Sequence, residues 1–176
     1  MSGVIVLDYS ILETNTQISS IKVPFTLNNE TYLLTYKPHE SEKRTHIDKL
    51  DRIDNQMKRV WTGNWSKDFT HLVPYYLNGK PYLFLYKFNG DASMIDQFNP
   101  KGQGTTTRKT FNFAPGWDPI IPITKDGRPY LLSFQYDKSD LNKVKMALDK
   151  ILPADIQNVW TKVVNSTDLG ESPRLH

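Results

Sequence analysis

At 176 residues the chain has the size of one ordinary domain, long enough to bury a core. It has no cysteine, which excludes disulfides and thiolate metal sites, and its formal net charge of +3 falls short of a nucleic-acid footprint. No run approaches the ~18 apolar residues of a membrane span. The opening residues Met1 to Asp8 lack the basic start and apolar length of a signal peptide, so the expectation is a soluble chain made in the cytosol and not inserted into a membrane.

In chain order, residues 3–11 read as a strand lying before a repeat. The repeat is measured by its prolines: Val23-Pro24-Phe25, Val73-Pro74-Tyr75 and Ile121-Pro122-Ile123 begin three copies, 50 and 48 residues apart. Five residues before each proline stand Ser19, Phe69 and Trp117. Eight after it stand Tyr32, Tyr82 and Tyr130, and twelve after it Tyr36, Tyr86 and Phe134. Ile47-Asp48, Ile95-Asp96 and Leu148-Asp149 follow, and Trp61, Phe111 and Trp160 close the copies. Self-likeness at this period marks a repeat architecture.

The first copy predicts strands over 21–27, 31–37, 44–50 and 56–61. The second, with Asn78-Gly79 as a hairpin turn, predicts strands over 71–77, 81–88, 92–98 and 106–113. The third predicts strands over 119–124 and 129–136 around Asp126-Gly127. Its next part, Leu141 to Leu152, has a helical apolar period, but the repeat register aligns 145–151 with a strand and is preferred. The domain is therefore expected over 1–164, with copies at about 12–61, 62–111 and 112–160, and a polar tail over 165–176.

The fold expected is all-β: three four-stranded units of about fifty residues. Short hairpins and the aromatic that closes each copy suit β-propeller blades, whereas three copies in one chain suit a β-trefoil. Propellers need about four to eight blades, so a head-to-tail dimer of this chain would give a closed six-bladed ring.

The segments Trp61-Thr-Gly-Asn-Trp65, Phe69 to Tyr75, Asn78-Gly79 with Tyr82 to Tyr86, and Pro115-Gly-Trp117 to Ile123 with Asp126-Gly127 and Tyr130 resemble the tandem Gly-Trp repeats of tachylectin and tectonin propeller lectins. The resemblance covers residues 19 to 160, with few positions per copy, and the first copy departs most through Ser19. It implies a carbohydrate-binding ring with one site per blade or blade junction.

Sugars are held by aromatic rings under their C–H faces and by a few fixed polar groups at their hydroxyls. Trp65 and Trp117, in connections before a first strand, are candidate exposed rings, though either can equally pack between copies; Phe69 shares the Trp117 position. Asp48, Asp96 and Asp149 recur in the third strands. They are candidate hydroxyl acceptors, with a turn-capping or strand-tying role preferred. Threefold repetition gives no reason for the unique carboxylate pair of a glycosidase, and the four histidines have no metal-ligand spacing. Neither a catalytic residue, a metal nor a cofactor is expected. The glycine-rich, basic Lys101 to Lys109 reads as a turn rather than a phosphate cradle. A multivalent glycan-binding protein, of the defensive kind that leaves the cell by lysis or a nonclassical route, is the first reading. A protein-interaction or toxin-targeting module is the alternative.

Overall fold

The computed structural model describes residues 20–90, 92–140 and 142–169, and within them the chain is all-β apart from one short 3-10 turn. The strand expected at 3–11, Ser19 and the end of the expected tail, 170–176, lie outside the described residues. Three four-stranded antiparallel sheets follow one another along the chain, each a meander in sequence order. The first holds β1 (Ile21–Leu27), β2 (Glu30–Tyr36), β3 (Thr45–Leu50) and β4 (Met57–Gly63). The second holds β5 (His71–Leu77), β6 (Lys80–Tyr86), β7 (Ala92–Phe98) and β8 (Thr105–Asn112). The third holds β9 (Ile120–Lys125), β10 (Arg128–Tyr136), β11 (Lys143–Leu152) and β12 (Asp155–Asn165).

The first hairpin of every copy turns on two residues with positive φ: Asn28 and Asn29 at 51° and 60°, Asn78 and Gly79 at 52° and 70°, Asp126 and Gly127 at 52° and 70°. That geometry matches the twist of the flanking strands and explains why only Asn, Asp and Gly stand there. The segment with a helical apolar period is the strand β11, as the register of the repeat requires; pairing on both sides, to β10 and β12, outweighs its local preference. Part of the expected tail is ordered: β12 runs to Asn165, and Ser166–Leu169 forms the 3-10 turn, with the Ser166 N–H donating to the Asn142 carbonyl at 2.6 Å.

Side chains alternate between two faces of each sheet. The front face of the first sheet, with Val23, Phe25, Tyr32, Leu34, Tyr36 and Ile47, shares one core with Leu72, Leu83, Leu85 and Phe98 on the back face of the second. The front face of the second, with Val73, Tyr75, Tyr82, Phe84, Tyr86 and Ile95, shares the other core with Ile120, Leu131, Ala147 and Ile151 on the back face of the third. The middle sheet is thus covered on both sides. This is why β6 reads as the continuous apolar run Tyr82 to Tyr86, all of it buried, rather than as an alternating one.

Two tyrosine hydroxyls fasten the connections between sheets. Tyr36 at the end of β2 donates to the Ser66 carbonyl at 2.8 Å and accepts the Phe69 N–H at 3.3 Å. Tyr86 at the end of β6 donates to the Ala114 carbonyl at 3.0 Å and accepts the Trp117 N–H at 2.9 Å. The sequence suggests packing for these positions because Phe134 in the third copy has no hydroxyl. Both rings are indeed fully buried, yet the hydroxyl has a task that Phe134 lacks, since no fourth sheet follows among the described residues.

The closing aromatics need a correction. Trp61 lies opposite Ile47 and Trp160 opposite Leu148, but Ile95 faces Lys109, and Phe111 faces Ser93 two residues further along. The counterpart of Phe111 is therefore Gly63, and the Trp61 ring occupies the space above it: a Cβ on Gly63 would stand 2.1 Å from that ring. Constant offsets hid this because the copies differ in the length of the connection between their second and third strands.

Replacing Tyr86 by Phe strands the buried Trp117 N–H and removes the bond to the Ala114 carbonyl, and is expected to cost about 1–3 kcal/mol in chemical denaturation. Tyr136→Phe, at a hydroxyl-bearing ring that is 54% exposed, is expected to stay within about 0.5 kcal/mol.

Candidate functional site

The connection from β4 to β5 crosses from the first sheet to the second and carries Trp65 and Phe69. Arg44 holds it from below, donating through Nη1 to the Asn64 side-chain oxygen at 2.7 Å and to the Trp65 carbonyl at 3.0 Å, while Tyr36 holds it from within. The Trp65 and Phe69 rings each lie 6.1 Å from the Tyr36 ring, and the Lys87 ammonium stands 5.3 Å over Phe69. Between these rings and the back face of the second sheet is a cleft of about 160 Å³, lined by Trp65, Phe69, Leu85, Met94, Asp96, Thr105 and Thr107. Three of the residues singled out in the sequence, Trp65, Phe69 and Asp96, converge there.

Each repeated aspartate sits at the same irregularity. Pairing between the third and fourth strands slips at Ile47/Asp48, Ile95/Asp96 and Leu148/Asp149, leaving one extra residue on the fourth strand each time. Such a bulge turns the neighbouring side chains and deepens the twist. A fourth-strand side chain then grips the carboxylate. Arg59 Nε donates to Asp48 at 2.8 Å, the Thr105 hydroxyl to Asp96 at 2.6 Å, and Asn158 Nδ2 to Asp149 at 2.8 Å. The tying of third to fourth strand is therefore present in all three copies. It leaves one oxygen each of Asp96 and Asp149 buried with no donor.

The three aspartates differ in what lies above them. Asp48 is on the back face of the first sheet, away from every described candidate aromatic, with His46 Nε2 at 3.5 Å as a second neighbour. Burial and the Arg59 charge lower the His46 pKa, and the Asp48 charge opposes them. Asp149 lies at the junction of the second and third sheets. Burial pushes its carboxyl above the usual carboxylate range, partly offset by the Asn158 hydrogen bond.

The two candidate tryptophans differ in exposure. Trp65 is half-buried, but Trp117 is 5% exposed, enclosed in the second core with the Lys145 ammonium 5.3 Å from its ring. Phe69 is buried at 3%. The Tyr86 hydroxyl pulls the Trp117 backbone inward, which is the physical reason its ring is not offered to solvent.

A larger cleft of about 280 Å³ opens beside the first hairpin turn, lined among others by Asn28, Lys80, Gln97, Asn99 and Arg108. None of these is a candidate site residue in the sequence, although Arg108 lies in the basic stretch Lys101 to Lys109. Arg108 is the bulge residue of its copy, where the other copies have Val60 and Val159, and both its Nε, at 2.8 Å, and its Nη2 donate to Gln97 Oε1. A charged residue at a bulge position that is otherwise valine was the available signal. The glycine-rich loop beside it serves packing. A Cβ on Gly102 would stand 2.4 Å from the Tyr32 ring, and one on Gly104 2.8 Å from that of Trp61. The glycines admit aromatics of the first sheet. Among the described residues no three His, Asp or Glu side chains converge as a metal site would need.

Compared with models of known protein families and with curated protein sequences, the chain matches neither.

Because the folded Asp149 carboxyl titrates above its unfolded value, its protonated form is the one the fold favours. Stability from this group is full below the ordinary aspartate pKa and is lost as pH rises through the raised folded value. Asp149→Asn removes that loss, so the variant is expected to gain on the parent chain in thermal melts as pH is raised from about 3.8 toward neutral. A difference between the two that does not change with pH would refute the assignment.

Proposed function

We propose that the chain is a non-enzymatic carbohydrate-binding protein whose sheets are consecutive blades of a β-propeller-type ring. The observation that carries the sugar reading is the cleft beneath Trp65. It joins a half-open indole, apolar walls from Leu85 and Met94, two threonine hydroxyls, and the Asp96 carboxylate, one oxygen of which accepts from Thr105 while the other is buried without a protein donor. Such a site takes the C–H face of a pyranose against the ring and one or two of its hydroxyls at the carboxylate. Its volume lies below the ~300–1,000 Å³ of pockets that enclose drug-sized ligands. It therefore suits a single sugar residue held weakly, with useful strength coming from several sites on one particle.

Three features support the blade reading over a β-trefoil: each sheet is a complete meander, consecutive sheets face one another, and the first strands β1, β5 and β9 adjoin in succession. The protein would act on glycans or glycoconjugates outside the cell that makes it. A protein-interaction module is the second reading, favoured by the polar cleft around Arg108 and Gln97, whose lining suits an acidic peptide as well as a sugar.

A glycan array followed by calorimetry tests the proposal. Binding competed by millimolar free monosaccharide is expected. Trp65→Ala should weaken it roughly three- to tenfold, in line with about 0.5–1.5 kcal/mol for an aromatic contact. Asp96→Asn should weaken it further and Asp48→Asn leave it unchanged. Glycan binding that survives both Trp65→Ala and Asp96→Asn removes this cleft as the site, and an array with no binding removes the lectin reading.

A further inference from the structure

The two junctions between sheets follow one rule, front face onto back face, and among the described residues the stack leaves one face of each kind open. On the front of the third sheet stand Ile121, Ile123, Tyr130, Leu132, Phe134 and Leu148. Their counterparts in the first sheet, Val23, Phe25, Tyr32, Leu34, Tyr36 and Ile47, are at most 4% exposed beneath the second sheet. All six positions on the third sheet remain apolar or aromatic, yet each is only half-buried. A stack that ended there would be expected to carry a polar cap, and a contiguous apolar patch of this kind marks an interaction surface.

The opposite end carries the matching half. Each back face has the same three residues at equivalent places: Pro24, Leu33 and Asp48; Pro74, Leu83 and Asp96; Pro122, Leu131 and Asp149. Leu83 and Leu131 are fully buried by the preceding sheet, whereas Leu33 is half-open. The first back face differs from the others in being wetter, with Lys22, Thr35 and His46 where the second sheet has Leu72, Leu85 and Met94. That is what a junction between separate chains requires, because the face meets water before it meets its partner.

We infer that the occupant of both faces is a second copy of this chain, docked head to tail so that the front of each third sheet covers the back of the other copy's first sheet. The new junction repeats the geometry of the two internal ones. A heterologous contact of this kind must close or run on as a filament; two copies give six sheets, within the range of about four to eight blades in which propellers close. The inference rests on the blade reading of the sheets. Its test reads the ends of the stack, whereas sugar binding reads the cleft beneath Trp65, so the two can be lost separately.

Light scattering on the full chain at tens of micromolar is the test. The expected mass is twice the 20.4 kDa of one chain. Leu132→Glu and Leu33→Arg should each reduce it to a single chain that still melts cooperatively, at a temperature lowered only by the loss of association, because both positions are open in the isolated stack. An equimolar mixture of the two variants should recover the double mass, since one junction is intact and the other sets opposite charges together. A parent chain of single mass overturns the proposal. So does a dimer that Leu33→Arg leaves intact, which would mean two third sheets front to front, and so does a ladder of higher masses, which would mean that the stack does not close at two.

Discussion

A single four-stranded sheet cannot bury both of its faces, and everything in this protein follows from that constraint. Each copy makes a sheet whose front is paved with aromatic and branched residues, and the second and third also have largely apolar backs, so each becomes stable only when another lies against it. The middle sheet satisfies the condition on both sides. Phe25 of the first sheet stacks on Phe98 of the second with ring centroids 3.8 Å apart, and Phe84 of the second sits in the core it shares with Leu131 of the third. The two outer sheets each keep one face uncovered among the described residues. Stability, the location of clefts and the character of the ends are therefore consequences of one repeated contact.

The same contact decides where chemistry is possible. The connection between sheets must leave the outer strand of one copy and reach the first strand of the next, and Tyr36 and Tyr86 pin its path by taking up one N–H and one carbonyl each. Pinning brings an aromatic from the connection over the back face of the following sheet, where the bulge has turned an aspartate toward the junction. At the first junction the result is a cleft with a half-open indole. At the second the place of Trp65 is taken by Phe113, which packs against Phe84 and Tyr86, and Trp117, like its counterpart Phe69, is shut in, with Lys145 against it. The half-open ring at the first junction is thus Trp65, four residues before the buried position that Phe69 and Trp117 share.

Much of the architecture was legible from the residues because the signals were local or periodic. Proline spacing gave the copies, Asn-Gly and Asp-Gly gave the hairpins, and the register of Leu148-Asp149 outweighed the helical period around it. What stayed hidden depended on contacts between distant segments. The offset of Phe111 did not reveal that its place is Gly63 in the first copy, because the space there is filled by Trp61 from two residues away. Gly102 and Gly104 form the turn that the sequence suggests, with positive φ, but their missing side chains also admit Tyr32 and Trp61 from another sheet. The burial of Trp117 and the convergence of Trp65, Phe69 and Asp96 likewise depend on how sheets meet, which no window of sequence contains.

The claim on which this account stands is that successive sheets pack front to back, and a double-mutant cycle across the first junction measures it. Phe25→Leu and Phe98→Leu, separately and together, should show a coupling of roughly 0.5–1.5 kcal/mol in denaturation, the range for a buried aromatic pair. The same cycle between Phe25 and Phe113, which lies in the other core, should be additive within about 0.3–0.5 kcal/mol. Additivity of Phe25 with Phe98, or an equal coupling of Phe25 to both, would contradict it.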